Sequence, residues 1–169
     1  MLSKLTNAVR SAPALFAAGA LTFTSPLAAG EEIIVTPGYG LQQAIAEARP
    51  GDVLRLSAGR YAGPVIIDRS ITLTGEPGAV VDGNGQGRVI TVSAPDASVL
   101  QLTIVNSGSS LETEDSGVFV TADADRARIS GNRLEHNLIG IYLKGPENAL
   151  VENNTIIGRN DLRINERGN

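Results

Sequence analysis

The chain has 169 residues, is 42% hydrophobic and 19% charged, and carries a formal net charge of −4, a composition that suits one soluble domain with a real core. The acidic balance excludes a nucleic-acid surface, which needs clustered Lys and Arg. The absence of cysteine excludes disulfides, Cys-based zinc sites and thiol chemistry.

The first 29 residues carry Lys4 and Arg10 and no acid. Ala12–Phe23 is an uncharged apolar run, broken by Ser25-Pro26 and followed by small residues at Leu27–Gly30. This pattern predicts a secretory signal peptide over residues 1–29, cleaved after Ala29 or Gly30. The apolar run is about a dozen residues, against the roughly 20 that a spanning helix needs.

Beyond Glu31, Ile33–Val35 reads as a strand and Thr36–Gly40 as a turn. Leu41, Ala44, Ile45 and Ala48 then form one apolar face of a short helix, stopped by Arg49-Pro50-Gly51. A single helix ahead of many strands suits a cap over the first layer of a repeat array. From Asp52 onward the chain reads as short strands: Val53–Leu56, Val65–Ile67, Ile71–Leu73 and Val80–Val81. Gly59, Gly63, Gly75, Gly78, Gly83 and Gly85 punctuate them.

A repeat then emerges. Gly117–Val120 matches Gly140–Leu143 at a spacing of 23 residues, and Ala127, Ile129, Asn132 and Leu134 match Ala149, Val151, Asn154 and Ile156 at 22. Ala97, Val99, Leu102 and Ile104 match the same four positions at 30, with the extra length in a polar insertion, Ser107–Ser116. Three short strands and three turns in about 22 residues predict one coil of a right-handed parallel β-helix, an all-β solenoid with a short N-terminal capping helix. Each strand would pair with its equivalent one coil later, about 4.8 Å along the axis. Ile129 and Val151 would stack in an aliphatic column, and Asn132 and Asn154 would hydrogen-bond up the stack at a turn. The consensus of leucine-rich repeats, the rival at this period, is absent.

The residues that could carry chemistry are few. Cu(I) prefers Cys and Met sulfur, and imidazole also serves. Beyond the predicted leader there is no Cys, no Met and a single histidine, His136, which is expected at an exposed coil turn; no metal ligand is assigned. Glu112, Glu114 and Asp115 lie in the insertion without the spacing of a calcium loop, and read as a solvated acidic loop or, more sharply, a protein-docking loop. A polysaccharide lyase or hydrolase would need a base beside carboxylates, or two facing carboxyls. Lys144 and Arg128 are available as bases and Glu135, Glu147 and Glu152 as acids, with nothing in the spacing to bring two together. No catalytic or cofactor-binding residue is assigned. Asp161, Arg163, Glu166 and Arg167 mix signs near the end of the chain, as in an exposed ion-paired turn.

The segments Leu41–Ile45, Pro50-Gly51-Asp52, Ala58–Tyr61 and Ile71–Gly75 resemble the start of many periplasmic β-helix proteins. Asn137–Gly145, Asp161–Asn169 and the insertion Leu111–Gly117 resemble the NosD family, periplasmic proteins of nitrous oxide reductase maturation. The resemblance covers residues 30–169 and only the N-terminal part of the family's protein. It implies a truncated β-helix that stops at Gly168-Asn169 without a C-terminal cap. It further implies a non-catalytic periplasmic accessory protein acting with the membrane and ATPase subunits of an ABC transporter, with nitrous oxide reductase and with a copper chaperone. Copper handling is implied for the intact protein and no cofactor for this part. The alternative is a carbohydrate-active β-helix.

Overall fold

The computed structural model describes residues 30–159; the predicted signal peptide and the mixed-charge segment from Asp161 to Asn169 lie outside them. Every strand is short because each carries only one or two inward side chains before the chain must turn a corner. β1 (Glu32–Val35) leads into α1 (Leu41–Glu47), after which the chain winds through β2 (Val53–Leu56), β3 (Gly59–Ala62) and β4 (Val65–Ile67). The next coils are β5 (Thr72–Gly75), β6 (Ala79–Asp82) and β7 (Ile90–Val92), then β8 (Ser98–Leu100), β9 (Thr103–Val105) and β10 (Ser116–Val120). They are followed by β11 (Arg128–Ser130), β12 (Arg133–Asn137) and β13 (Ile139–Leu143), and finally β14 (Leu150–Glu152) and β15 (Thr155–Gly158).

All pairings are parallel and link each strand to its equivalent in the next coil. Three sheets result: β1-β2-β5-β8-β11-β14 (the first sheet), β15-β12-β9-β6-β3 (the second) and β13-β10-β7-β4 (the third). This is a parallel β-helix. The registers are those of the repeat: Ile129 pairs with Val99 and Val151, Leu134 with Ile104 and Ile156, and Phe119 with Tyr142.

Three inward columns form the core. Leu54, Leu73, Val99 and Ile129 stack in the first sheet, Val81, Ile104 and Leu134 in the second, and Ile90 and Val118 in the third, all fully buried. Each aliphatic side chain removed from water contributes about 1.5–3 kcal/mol, and the columns extend this from coil to coil. Val151 and Ile156 continue the columns at 40% and 51% exposure, with no described coil above them.

At the other end α1 buries Leu41, Ala44 and Ile45, as the periodicity predicts for a cap. It also blocks a sheet edge. The amide of Gln42 accepts from Ile66 N–H (2.7 Å) and donates to Ile66 C=O (3.2 Å), occupying the free edge of β4 as a strand would.

Corners of the later coils turn on a residue in the left-handed region. Gln101, Gly131 and Asn153 (φ 54°, 69° and 56°) stand above one another at the first corner, and Asn106 and His136 (φ 60° and 54°) at the second. Asp96, Arg126 and Asn148 (φ 59°, 57° and 55°) occupy the third. Asn tolerates this conformation better than most side chains, hence its frequency in the turns. Two of the punctuating glycines instead lie within strands, Gly59 opening β3 and Gly75 closing β5. At Gly75 a Cβ would lie 2.5 Å from Leu102 Cδ2 and 2.8 Å from Ala79 Cβ, so the demand there is for space.

One corner carries a buried carboxylate. Asp82 is 8% exposed and accepts from Asn84 N–H (2.9 Å), the Asn106 amide (2.9 Å) and the Arg60 guanidinium. Burial pushes its pKa up, but the three donors outweigh burial and hold it below the usual carboxylate value. A depressed folded-state pKa gives stability that is present above the unfolded value of about 3.9 and is lost as pH falls through the folded one. Urea midpoints should therefore drop below about pH 4, and Asp82→Asn should flatten that part of the profile.

Candidate functional site

The outer face of the third sheet differs from the other two. Its central column runs Ile66, Thr91, Phe119, Tyr142, an apolar strip on a surface where the first and second sheets present mainly Arg, Glu, Ser and Thr. Alternation along β10 turns Val118 and Val120 inward and Phe119 outward, yet Phe119 is 1% exposed. Its ring stacks on Tyr142 with centroids 5.4 Å apart and planes 4° apart. The Arg88 guanidinium lies 3.5 Å from the ring centroid and Lys144 Nζ 5.8 Å from it. Cation–π contacts of this kind add about 0.5–2 kcal/mol.

The insertion between β9 and β10 completes the cover. Glu114 Oε2 accepts from Arg88 at 2.6 Å and Glu114 Oε1 from Lys144 at 3.2 Å, so one carboxylate joins the coils below and above its own. Arg88 also donates to Thr113 C=O at 3.1 Å. Asp115 is 5% exposed and accepts from Ser110 N–H (2.9 Å) and Thr113 Oγ1 (2.8 Å). Gly108 N–H donates to Gly87 C=O at 2.9 Å, and Ile139 N–H to Asp115 C=O at 3.2 Å. At Gly108 a Cβ would lie 2.1 Å from Asp115 Oδ2, so only glycine passes there. The reading of this segment as a solvated acidic loop is therefore corrected: of its three acids only Glu112 is freely exposed. Burial and pairing depend on Arg88 and Lys144, remote in sequence, which local composition does not reveal. Beside the insertion lies an open cleft of about 630 Å³ between Ile66, Arg88, Thr91 and Thr113.

Of the other candidate acids and bases only Arg128 and Glu152 meet, and no two of the acids do. Glu135 sits on the second sheet in an ion pair with Arg133, and Glu152 on the first sheet accepts from Arg128 at 2.8 Å. Glu147 lies in the turn between β13 and β14, where its N–H donates to Asp125 at 2.8 Å. The proposed acids thus occupy three separate places on the solenoid. His136 is an exposed corner residue, as its turn position suggests, and lines a cleft of about 250 Å³ with Asn84, Asn106, Ser107 and Arg159. Among the described residues no three His, Cys, Asp or Glu side chains come together as metal ligands. One imidazole amid amides and hydroxyls is a poor donor set for Cu(I), so these residues do not fit a copper centre. No helix of the described residues is long and apolar enough to cross a membrane.

Comparison with known proteins places these features. A likeness to a solved alginate lyase of the PL6 family, with a TM-score of 0.45 and 22% identity over 75% of this chain and 20% of that one, is too slight to bear on function. The chain is 40% identical over 115 residues to "Probable ABC transporter binding protein NosD" of Stutzerimonas stutzeri, covering 68% of this chain and 26% of that protein. It is 38% identical over 138 residues to the protein of the same name from Pseudomonas aeruginosa, covering 77% and 32%. It thus spans about a quarter to a third of the length of these relatives. The sequence model of the family described as "Periplasmic copper-binding protein (NosD)" matches residues 64–169. That match takes in most of the solenoid together with the insertion that covers Phe119, and the chain belongs to the NosD family.

Proposed function

We propose that this chain is part of a periplasmic accessory protein for nitrous oxide reductase maturation that works beside an ABC transporter, and that residues 1–29 direct its export. The observation that carries this reading is the identity of 38–40% to proteins named as ABC transporter binding proteins, within a family described as periplasmic and copper-binding. The intended partners are the transporter's membrane and ATPase subunits, the reductase and a copper chaperone. Copper is read as cargo of the whole protein; the donor set of the described coils argues against their holding it. The role is read as binding rather than catalysis, because the candidate acids occupy separate parts of the solenoid and the candidate bases Arg128 and Lys144 are each engaged in an ion pair. The third-sheet face, with its packed insertion, the half-buried Tyr142 and the exposed Ile66, is the surface best suited to a protein partner: partly apolar and rimmed by charge.

The test is affinity capture from the periplasm of a denitrifying host, comparing this chain with a form extended beyond Asn169 and reading partners by mass spectrometry. Recovery of transporter subunits or of the reductase supports the accessory role. Failure of both forms to recover either, together with binding or cleavage of an acidic polysaccharide, would replace it with the carbohydrate-active alternative.

A further inference from the structure

The beginning of the fold is tied to one carboxylate. Asp52, 6% exposed, lies in the turn after α1. Its Oδ2 accepts from Arg49 N–H at 2.7 Å and its Oδ1 from Glu31 N–H at 2.8 Å. These two bonds, the Arg49 one foremost, hold its pKa below the usual carboxylate value against the effect of burial. The Arg49 guanidinium is the cationic side chain that acts on it, through space. Among the described residues no ion pair includes Asp52. Both oxygens of Asp52 thus accept from backbone N–H groups alone, and a cation at either donor would be favoured there.

Glu31 is where the chain enters the solenoid, its C=O accepting from Val53 N–H at 2.8 Å. Just upstream, Gly30 crosses Gly51 so closely that a Cβ would lie 1.6 Å from Gly51 O. Export peptidases read small residues at the first and third positions before the cut. A cut after Gly30 places Gly30 and Ala28 there, whereas a cut after Ala29 places Leu27 at the third position.

Resting on the export reading above, we propose that processing cuts between Gly30 and Glu31, and that the new α-ammonium group of Glu31 is the counter-charge of Asp52. One water is consumed: the Gly30–Glu31 C–N bond breaks, the water oxygen joins the Gly30 carbonyl carbon as the leader's carboxylate, and the protons go to the Glu31 nitrogen. A neutral N–H···O contact thereby becomes charge-assisted, roughly twice as strong, and the mature terminus is fastened to the first coil where an ordinary terminus frays.

The full chain, made with its own leader in a Gram-negative host and recovered from the periplasm, provides the test. Intact mass and N-terminal sequencing should show a chain starting at Glu31. The pH dependence of amine acylation, read by mass, should give an α-amine pKa above the ordinary value of about 8, returned to it by Asp52→Asn. The wild-type measurement decides the point even if that variant does not fold. A chain retaining residues 1–29 would overturn the export reading itself. A chain cut elsewhere, or one starting at Glu31 with an ordinary amine, leaves export standing and overturns the pairing.

Discussion

Replacing Asn132 with alanine should destabilise the protein by about 3 kcal/mol, measured by urea unfolding followed by circular dichroism. The side chain is 1% exposed and serves both neighbouring coils. Its Oδ1 accepts from Leu102 N–H at 3.0 Å, and its Nδ2 donates to Val99 C=O at 2.9 Å and to Asn154 Oδ1 at 3.0 Å. Truncation leaves the buried Leu102 N–H without its side-chain partner and takes one hydrogen bond from Val99 C=O, a buried unsatisfied donor costing about 1–3 kcal/mol. Asn154→Ala should cost less, because Asn154 is only half-buried and water can replace its amide. Equal losses at the two positions would mean that the ladder contributes little beyond turn propensity.

Phe119→Ala should cost about 3–4 kcal/mol and also release the insertion. The ring is the floor on which Arg88 lies, and Arg88 in turn holds Glu114 and Thr113 C=O. Limited proteolysis with intact-mass readout should find new cuts within residues 109–114 in this variant. Glu114→Gln keeps the ring and loses only the ion pairs, whose side chains are 22–57% exposed. Partly exposed pairs contribute about 1 kcal/mol or less, so that variant should stay near wild type in urea and resist protease. If Glu114→Gln frees the insertion as readily as Phe119→Ala, charge rather than ring burial holds it down.

Most of the scaffold is legible in the sequence. The spacings of 22, 23 and 30 residues translate into the observed strand registers, because a solenoid stacks equivalent positions directly and a repeat in sequence is a column in space. The helix at Leu41–Glu47 and the stacking of Asn132 on Asn154 follow from local pattern for the same reason. β3 is not legible because Gly-Arg-Tyr-Ala has one inward side chain, Tyr61, and no run of β-branched residues. Gln42 gave no signal either; its amide pairs with a strand edge 24 residues away.

By itself, the sequence determined the repeat, the coil length, the core columns, the capping helix and the family, since each depends on periodicity or on a motif within one or two coils. The tertiary structure alone decided what covers the outside. Phe119 is buried because Tyr142 stacks beside it and Arg88, Glu114 and Lys144, from three successive coils, meet over it. The proposed acids stay apart only because successive strands face different sides of the solenoid. Columns arise from neighbours that the repeat places in register, whereas a surface is built by side chains whose separation along the chain carries no periodic signal.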